Sequence, residues 1–126
     1  MRTIRSADRP TIPAGHENPA SPGTWKRVLC QRDELCPGRV QMVNWATMPV
    51  GRQFAAHYHE DMQEVFIILQ GEAELTAGGQ TVILRRGDTV IIDARETHTM
   101  RNLGDEPVEY IALGIAGTAD GKTVVV

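Results

Sequence analysis

The sequence predicts an all-β fold, a sandwich or barrel of short antiparallel strands. Three observations carry that prediction. Short segments rich in Val, Ile, Leu and Thr are separated throughout by Gly, Pro, Asn and Asp turn signals. No stretch longer than about ten residues sustains a helical period. The chain has 126 residues, enough for one domain with one core, since a chain of that length buries roughly two-thirds of its unfolded surface.

Taken in order, residues 1–24 hold Pro10, Pro13, Pro19 and Pro22 with Gly15 and Gly23. Neither a helix nor a ladder runs through such a stretch, so an extended N-terminal arm is expected, with the folded body at 25–126. Strands are expected at 26–30, 39–48, 54–59, 64–69, 72–77, 81–84, 89–93, 98–103, 108–115 and 123–126. The turns between them fall at Pro37-Gly38, Pro49-Val50-Gly51, Gln70-Gly71, Gly78-Gly79, Gly87-Asp88, Gly104-Asp105 and Gly117. In the strand at 72–77, Ala73, Leu75 and Ala77 share one face and Glu72, Glu74 and Thr76 the other, the pattern of a strand with one wet side. Residues 64–69 are apolar at both parities, which implies burial on two faces, one of them against the arm, other loops or a second subunit.

Composition narrows the functional classes. Thirteen Lys and Arg against sixteen Asp and Glu give a net charge of −3 without a basic cluster, so the electrostatic footprint of a nucleic-acid binder is missing. The longest apolar run, Val65-Phe66-Ile67-Ile68-Leu69, is far short of the roughly 20 residues of a membrane helix. Arg2, Arg5 and Arg9 are not followed by the apolar core of a signal peptide, so a cytoplasmic location is expected. Cys30 and Cys36 are spaced too widely for a CxxC pair and read as ordinary thiols, a hairpin-spanning disulfide being the lesser alternative. No fixed-length repeat, phosphate-binding glycine loop or serine-nucleophile motif is present.

The chemistry concentrates in His57-Tyr58-His59. On a strand, residues i and i+2 project to the same side, so the two imidazoles form a chelating pair while Tyr58 points away. Glu64 follows after four residues, a length that fits a tight turn returning the next strand antiparallel beside the first. Delivered by the fold, His98 would complete three nitrogens and one carboxylate oxygen. That donor set suits one divalent Fe, Mn, Ni, Co, Cu or Zn ion. By itself an HxH pair is more often two surface imidazoles, and the case rests on its surroundings. His16 has no partner at ligand spacing and reads as a solvated loop residue.

Those surroundings are two spaced motifs. Gly51, five residues, His57, one, His59, four, Glu64, six, Gly71 is followed fifteen residues later by Gly87, ten residues, His98, three, Asn102. In this pattern, over roughly 39–115, the chain resembles a small single-domain cupin. The resemblance implies a β-barrel of jelly-roll or double-stranded β-helix type, with His57, His59, Glu64 and His98 on the family's metal-ligand positions. Asp93 and Arg95 depart from the family's usual proline and glycine. A different turn before His98 is therefore expected, or an Asp93–Arg95 ion pair that stiffens it.

Strand parity extends the inference to a pocket. Counting from the expected ligands turns Gln53, Phe66 and Met100 inward, and of Met42 and Trp45 at most one can face the site, Met42 being preferred. Gln53, Phe66, Met100 and Met42 are thus the expected substrate-binding residues, core packing being the plainer role of Phe66 and Met100. The expected activity is that of a metal-dependent enzyme on a small organic molecule, of dioxygenase, isomerase or lyase type. The alternative is a non-catalytic module that binds or senses a small ligand around a structural metal. Small cupins resembling this chain are often dimers, so a homodimer is expected.

Overall fold

A computed structural model describes residues 1–15, 17–117 and 122–126; the loop role expected for His16 lies outside the described residues. The strands are β1 (Ile12–Pro13), β2 (Trp25–Gln31), β3 (Val40–Met48), β4 (His57–His59), β5 (Met62–Gln70), β6 (Ala73–Ala77), β7 (Gln80–Leu84), β8 (Thr89–Ile92), β9 (His98–Asn102), β10 (Val108–Ala116) and β11 (Thr123–Val125). They form two antiparallel sheets that face each other, one ordered β1-β2-β3-β10-β5-β8 and the other β11-β4-β9-β6-β7. This is the jelly-roll barrel, and its core lies between the sheets.

Alternation builds that core. Along β10 every second residue from Val108 to Ala116 is buried, and β5 buries Met62, Glu64, Phe66 and Ile68. These meet Ala73, Leu75 and Met100 of the opposite sheet, and Met48, Phe54 and Ile92 join the same cluster. Burying one such large side chain is worth about 1.5–3 kcal/mol. Gly71, at φ +86°, ends β5 where an added Cβ would lie 2.7 Å from the Pro107 carbonyl oxygen, so the turn admits no side chain there.

Two local expectations are corrected. β4 and β5 are not a hairpin. Glu60 and Asp61 form a corner at which the chain passes from one sheet to the other, β4 pairing with β9 and β11 while β5 pairs with β10 and β8. The strand expected at 54–59 is also regular only from His57. Phe54 N–H donates to the Met100 carbonyl and Gln53 makes a lone bridge to Arg101, so the alternation breaks before the histidines. Phe54 turns inward at 1% exposure and Gln53 turns to solvent.

The arm is largely without regular structure, but it is tied to the barrel. β1 pairs with β2, Ile12 opposite Lys26, and Ala14 N–H donates to the Thr24 carbonyl. The Glu17 carboxylate accepts the backbone N–H groups of Gly23 and Ala55, each at 3.1 Å. Gly23 lies so close to the Gln53 carbonyl that any Cβ would overlap it. Cys30 and Cys36 are free thiols.

Candidate functional site

The fold delivers His98 where the spacing argument needs it. His57 stands opposite His98 in the β4–β9 ladder, their ring centroids 4.4 Å apart, and His59 follows on the same inward face. Glu64 reaches in from β5 of the other sheet. All four are at least nine-tenths buried, and their donor atoms lie within 4.8 Å of one another. Ligands about 2.1 Å from one ion stand about 3–4 Å apart, so the cluster is close to the size that a single ion needs.

Hydrogen bonds on the far side of each ring decide where the lone pairs point. His57 Nδ1 donates to the Ala55 carbonyl at 2.7 Å and His98 Nδ1 to the Glu96 carbonyl at 2.9 Å. A carbonyl can only accept, so both Nδ1 atoms carry a proton, and in the neutral rings that ligation requires both Nε2 atoms present a lone pair inward. His59 Nδ1 is held at 2.9 Å by the hydroxyl of Thr123, its register partner on β11.

The three Nε2 atoms surround Glu64 Oε1, hydrogen-bonded from His59, 3.4 Å from His98 and 3.8 Å from His57. Burial alone would raise the Glu64 carboxyl, yet the three imidazoles hold it well below the usual carboxylate range. His98 Nε2 is buried without a hydrogen-bond partner. An orphaned nitrogen among a carboxylate and two further imidazoles is what a metal ligand looks like without its ion, and the donor set fits a divalent transition metal.

Phe54 braces the cluster edge-on, its ring centroid 5.2 Å from His57, 5.8 Å from His98 and 6.2 Å from Phe66. His57, His59 and Glu64 face a cavity of about 630 Å³. Its apolar wall includes Phe66, Met42 and Met62, and its polar groups are Glu17, Thr24, Lys26, Gln41, Asn44 and Tyr110. Gly114 leaves the room that the Met42 and Met62 sulfurs occupy, since an added Cβ would lie 2.3 and 2.7 Å from them. Tyr110 shares a 3.2 Å hydrogen bond with Thr24, and burial pushes its phenol far above the usual range.

Of the expected substrate-binding residues, Phe66 and Met42 line this cavity. Met100, fully buried on the inward face that it shares with His98, lies two residues further along β9 and joins the core cluster beside its register partner Leu75 instead. Gln53 stands outside, for the reason given above. The expected Asp93–Arg95 pair is replaced by a hydrogen bond from Gln63 to Asp93 Oδ1 at 2.8 Å. Arg95 instead keeps the left-handed backbone of a glycine, φ 67°, and so preserves the turn before His98.

Sequence reasoning missed Lys26, Asn44, Phe54, Tyr110 and Thr123. The inward parity that Asn44 shares with Ala46 and Met48 was a usable signal. Lys26 gave none, since a lysine on a half-buried strand ordinarily faces water.

The comparisons agree with this geometry. The cupin domain model (Cupin_2) matches residues 44–114. The chain belongs to the cupin family. It is 32% identical over 66 residues to the oxalate-binding protein of Thermotoga maritima, covering 52% of this chain and 54% of that one. With a protein of Methanocaldococcus jannaschii it shares 28% identity over 74 residues, 59% of each chain. The chain thus spans somewhat over half the length of these curated relatives. Among solved structures, a predicted oxalate decarboxylase of Thermotoga maritima superposes with a TM-score of 0.81 at 22% identity, over 91% of this chain and 99% of that one. The polyketide cyclase RemF of Streptomyces resistomycificus gives 0.80 at 16% identity, over 100% and 85%. At these identities the structural likeness speaks for the fold.

Proposed function

We propose that this protein is a metal-dependent enzyme acting on a small organic molecule, of dioxygenase, isomerase or lyase type. One observation carries the reading: three imidazole Nε2 atoms, two with their tautomer set by backbone carbonyls, converge on one carboxylate at the wall of a cavity large enough for a small substrate. His57, His59, Glu64 and His98 would hold one divalent transition metal, Fe, Mn, Ni, Co, Cu or Zn, which supplies Lewis acidity and a site where a substrate oxygen can bind. The chain's own part is to keep the rings in register through the Ala55 and Glu96 carbonyls and Thr123. Phe54, Phe66, Met42 and Met62 keep water away from the reacting end.

A second reading is favoured by the name of one relative, an oxalate-binding protein. In that reading the chain binds or senses a small ligand without turnover. Metal analysis followed by turnover assays on hydroxy acids, keto acids, sugars and catechols, with and without added iron(II), separates the two. Metal-dependent turnover that Glu64→Ala or His98→Ala abolishes in a folded protein supports the enzyme. Saturable binding without turnover supports the binding module.

A further inference from the structure

Lys26 is the one lysine or arginine among the described residues that line the cavity. It sits on the inner face of β2, opposite Ala46 in the ladder, with Val28 opposite Asn44 one step along. No hydrogen bond or ion pair among the described residues engages its ammonium. The carboxylates that share the cavity are already engaged: Glu64 by the His59 hydrogen bond, Glu17 by the Gly23 and Ala55 amides. Burial draws the Lys26 ammonium below its usual range, offset in part by Glu64, and an anion bound beside it would reverse that shift.

Asn44 supplies a second, independent signal. It is 6% exposed, it lines the same cavity, and its Oδ1 is buried without a partner. A buried carbonyl oxygen in that state needs a donor, worth about 1–3 kcal/mol if left unmet. Lys26, Gln41, Met42 and Asn44 also line a neighbouring cleft of about 740 Å³, so they form the neck between the outer cleft and the chamber that holds the histidines.

Resting on the metal-site reading above, we propose that this neck recognises a small hydroxycarboxylate. Its carboxylate pairs with Lys26, its hydroxyl donates to Asn44 Oδ1, and the rest of the molecule extends toward the histidines. With a divalent ion in place, the charges of Lys26 and the ion exceed those of Glu64 and Glu17, so the chamber as a whole favours an anion. The chamber side of the neck offers one ammonium and no arginine, Arg32 standing on the outer cleft alone, which suits a single carboxylate better than a phosphate dianion, and the orphaned acceptor asks for a hydroxyl beside it.

Calorimetric titration of the metal-analysed protein with glycerate, propanoate, glycerol and inorganic phosphate tests this. Glycerate is expected to bind most tightly of the four. Lys26→Met should weaken it about ten-fold or more while metal content stays unchanged, and Lys26→Arg should restore part of the loss. Asn44→Leu should reduce glycerate to the affinity of propanoate. Wild-type affinity in Lys26→Met overturns the proposal. So does phosphate binding more tightly than glycerate, or no saturable glycerate binding by the parent protein. Loss of metal from the parent with Lys26-dependent glycerate binding retained would instead count against the metal reading alone.

Discussion

The backbone N–H of Arg95 donates to the carbonyl oxygen of His59 at 2.7 Å, and Arg95 makes that bond from the left-handed region at φ 67°. The turn that carries His98 into place is thereby fastened to the strand that carries His57 and His59. An L-residue with a side chain pays about 1–2 kcal/mol for that conformation, whereas glycine adopts it freely at some cost in unfolded-chain entropy. Arg95→Gly is therefore expected to stabilise the protein by about 0.5–1 kcal/mol in denaturant unfolding, and Arg95→Val to destabilise it by more than that. A stability loss in Arg95→Gly would mean that the arginine side chain holds the turn.

Metal binding follows from the cluster itself. About one divalent transition metal per chain is expected by elemental analysis, with affinity at least about 100-fold lower in a His57→Ala plus His59→Ala double variant, which removes two of the four donors. Ligation needs neutral imidazole, so metal affinity should fall as the pH is lowered. Full occupancy in the double variant, or at markedly lower pH, would remove the histidines from the site.

Why the histidines and Glu64 were legible in the sequence while much of their surroundings was not has a physical answer. A pair at i and i+2 on a strand shares a face whatever the strand pairs with, so His57 and His59 are fixed by local geometry. The partner of that strand is not local. A hairpin and a corner both satisfy the four residues between His59 and Glu64, and only the ladders of β4 with β9 and β5 with β10 choose the corner. Parity fails at Gln53 because Phe54 to Ala56 leave the regular ladder, and nothing in the residue types marks that break. Lys26 and Asn44 come together from β2 and β3 around a void bounded by β10 and β5 of the same sheet and by β4 and β11 of the other, a relation among distant segments that no window of sequence contains.

Tyr110 sets an alkaline limit. Buried in the core and bonded to Thr24, it stays neutral in the folded state to a pH well above its ordinary range. Its folded value lies above the unfolded one, so its contribution is complete below about pH 10 and declines as pH rises further, where the unfolded chain releases the proton and the folded chain does not. Tyr110→Phe should cost about 1 kcal/mol at pH 7, for the lost hydrogen bond, and flatten the fall in stability between about pH 10 and 12. Chemical denaturation across that range measures both. An alkaline decline as steep in the variant as in the parent would assign it to other groups.

The quaternary prediction rests on the outer face of the six-stranded sheet. Leu113 of β10 stands in register with Val43 on one side and Val65 on the other, and Val65 with Ile91; Ile111 stands beside Ile67. These outward side chains make an apolar patch across four strands, with Ile91 60% exposed. The arm does not cover it, because β1 pairs with β2 at the opposite edge of the sheet, and Ser6 and Thr11 lie over β2 and β3 near Trp45. Monomers rarely leave so continuous an apolar surface in water, and a two-fold axis would bury the same patch on two copies. We expect a homodimer of about twice 13.9 kDa by light scattering at micromolar concentration. Ile67→Glu places a charge at the centre of the patch without touching the barrel interior, so it should give a folded monomer with unchanged metal content. A parent protein that is purely monomeric would overturn the prediction, and a dimeric Ile67→Glu variant would move the interface to another face.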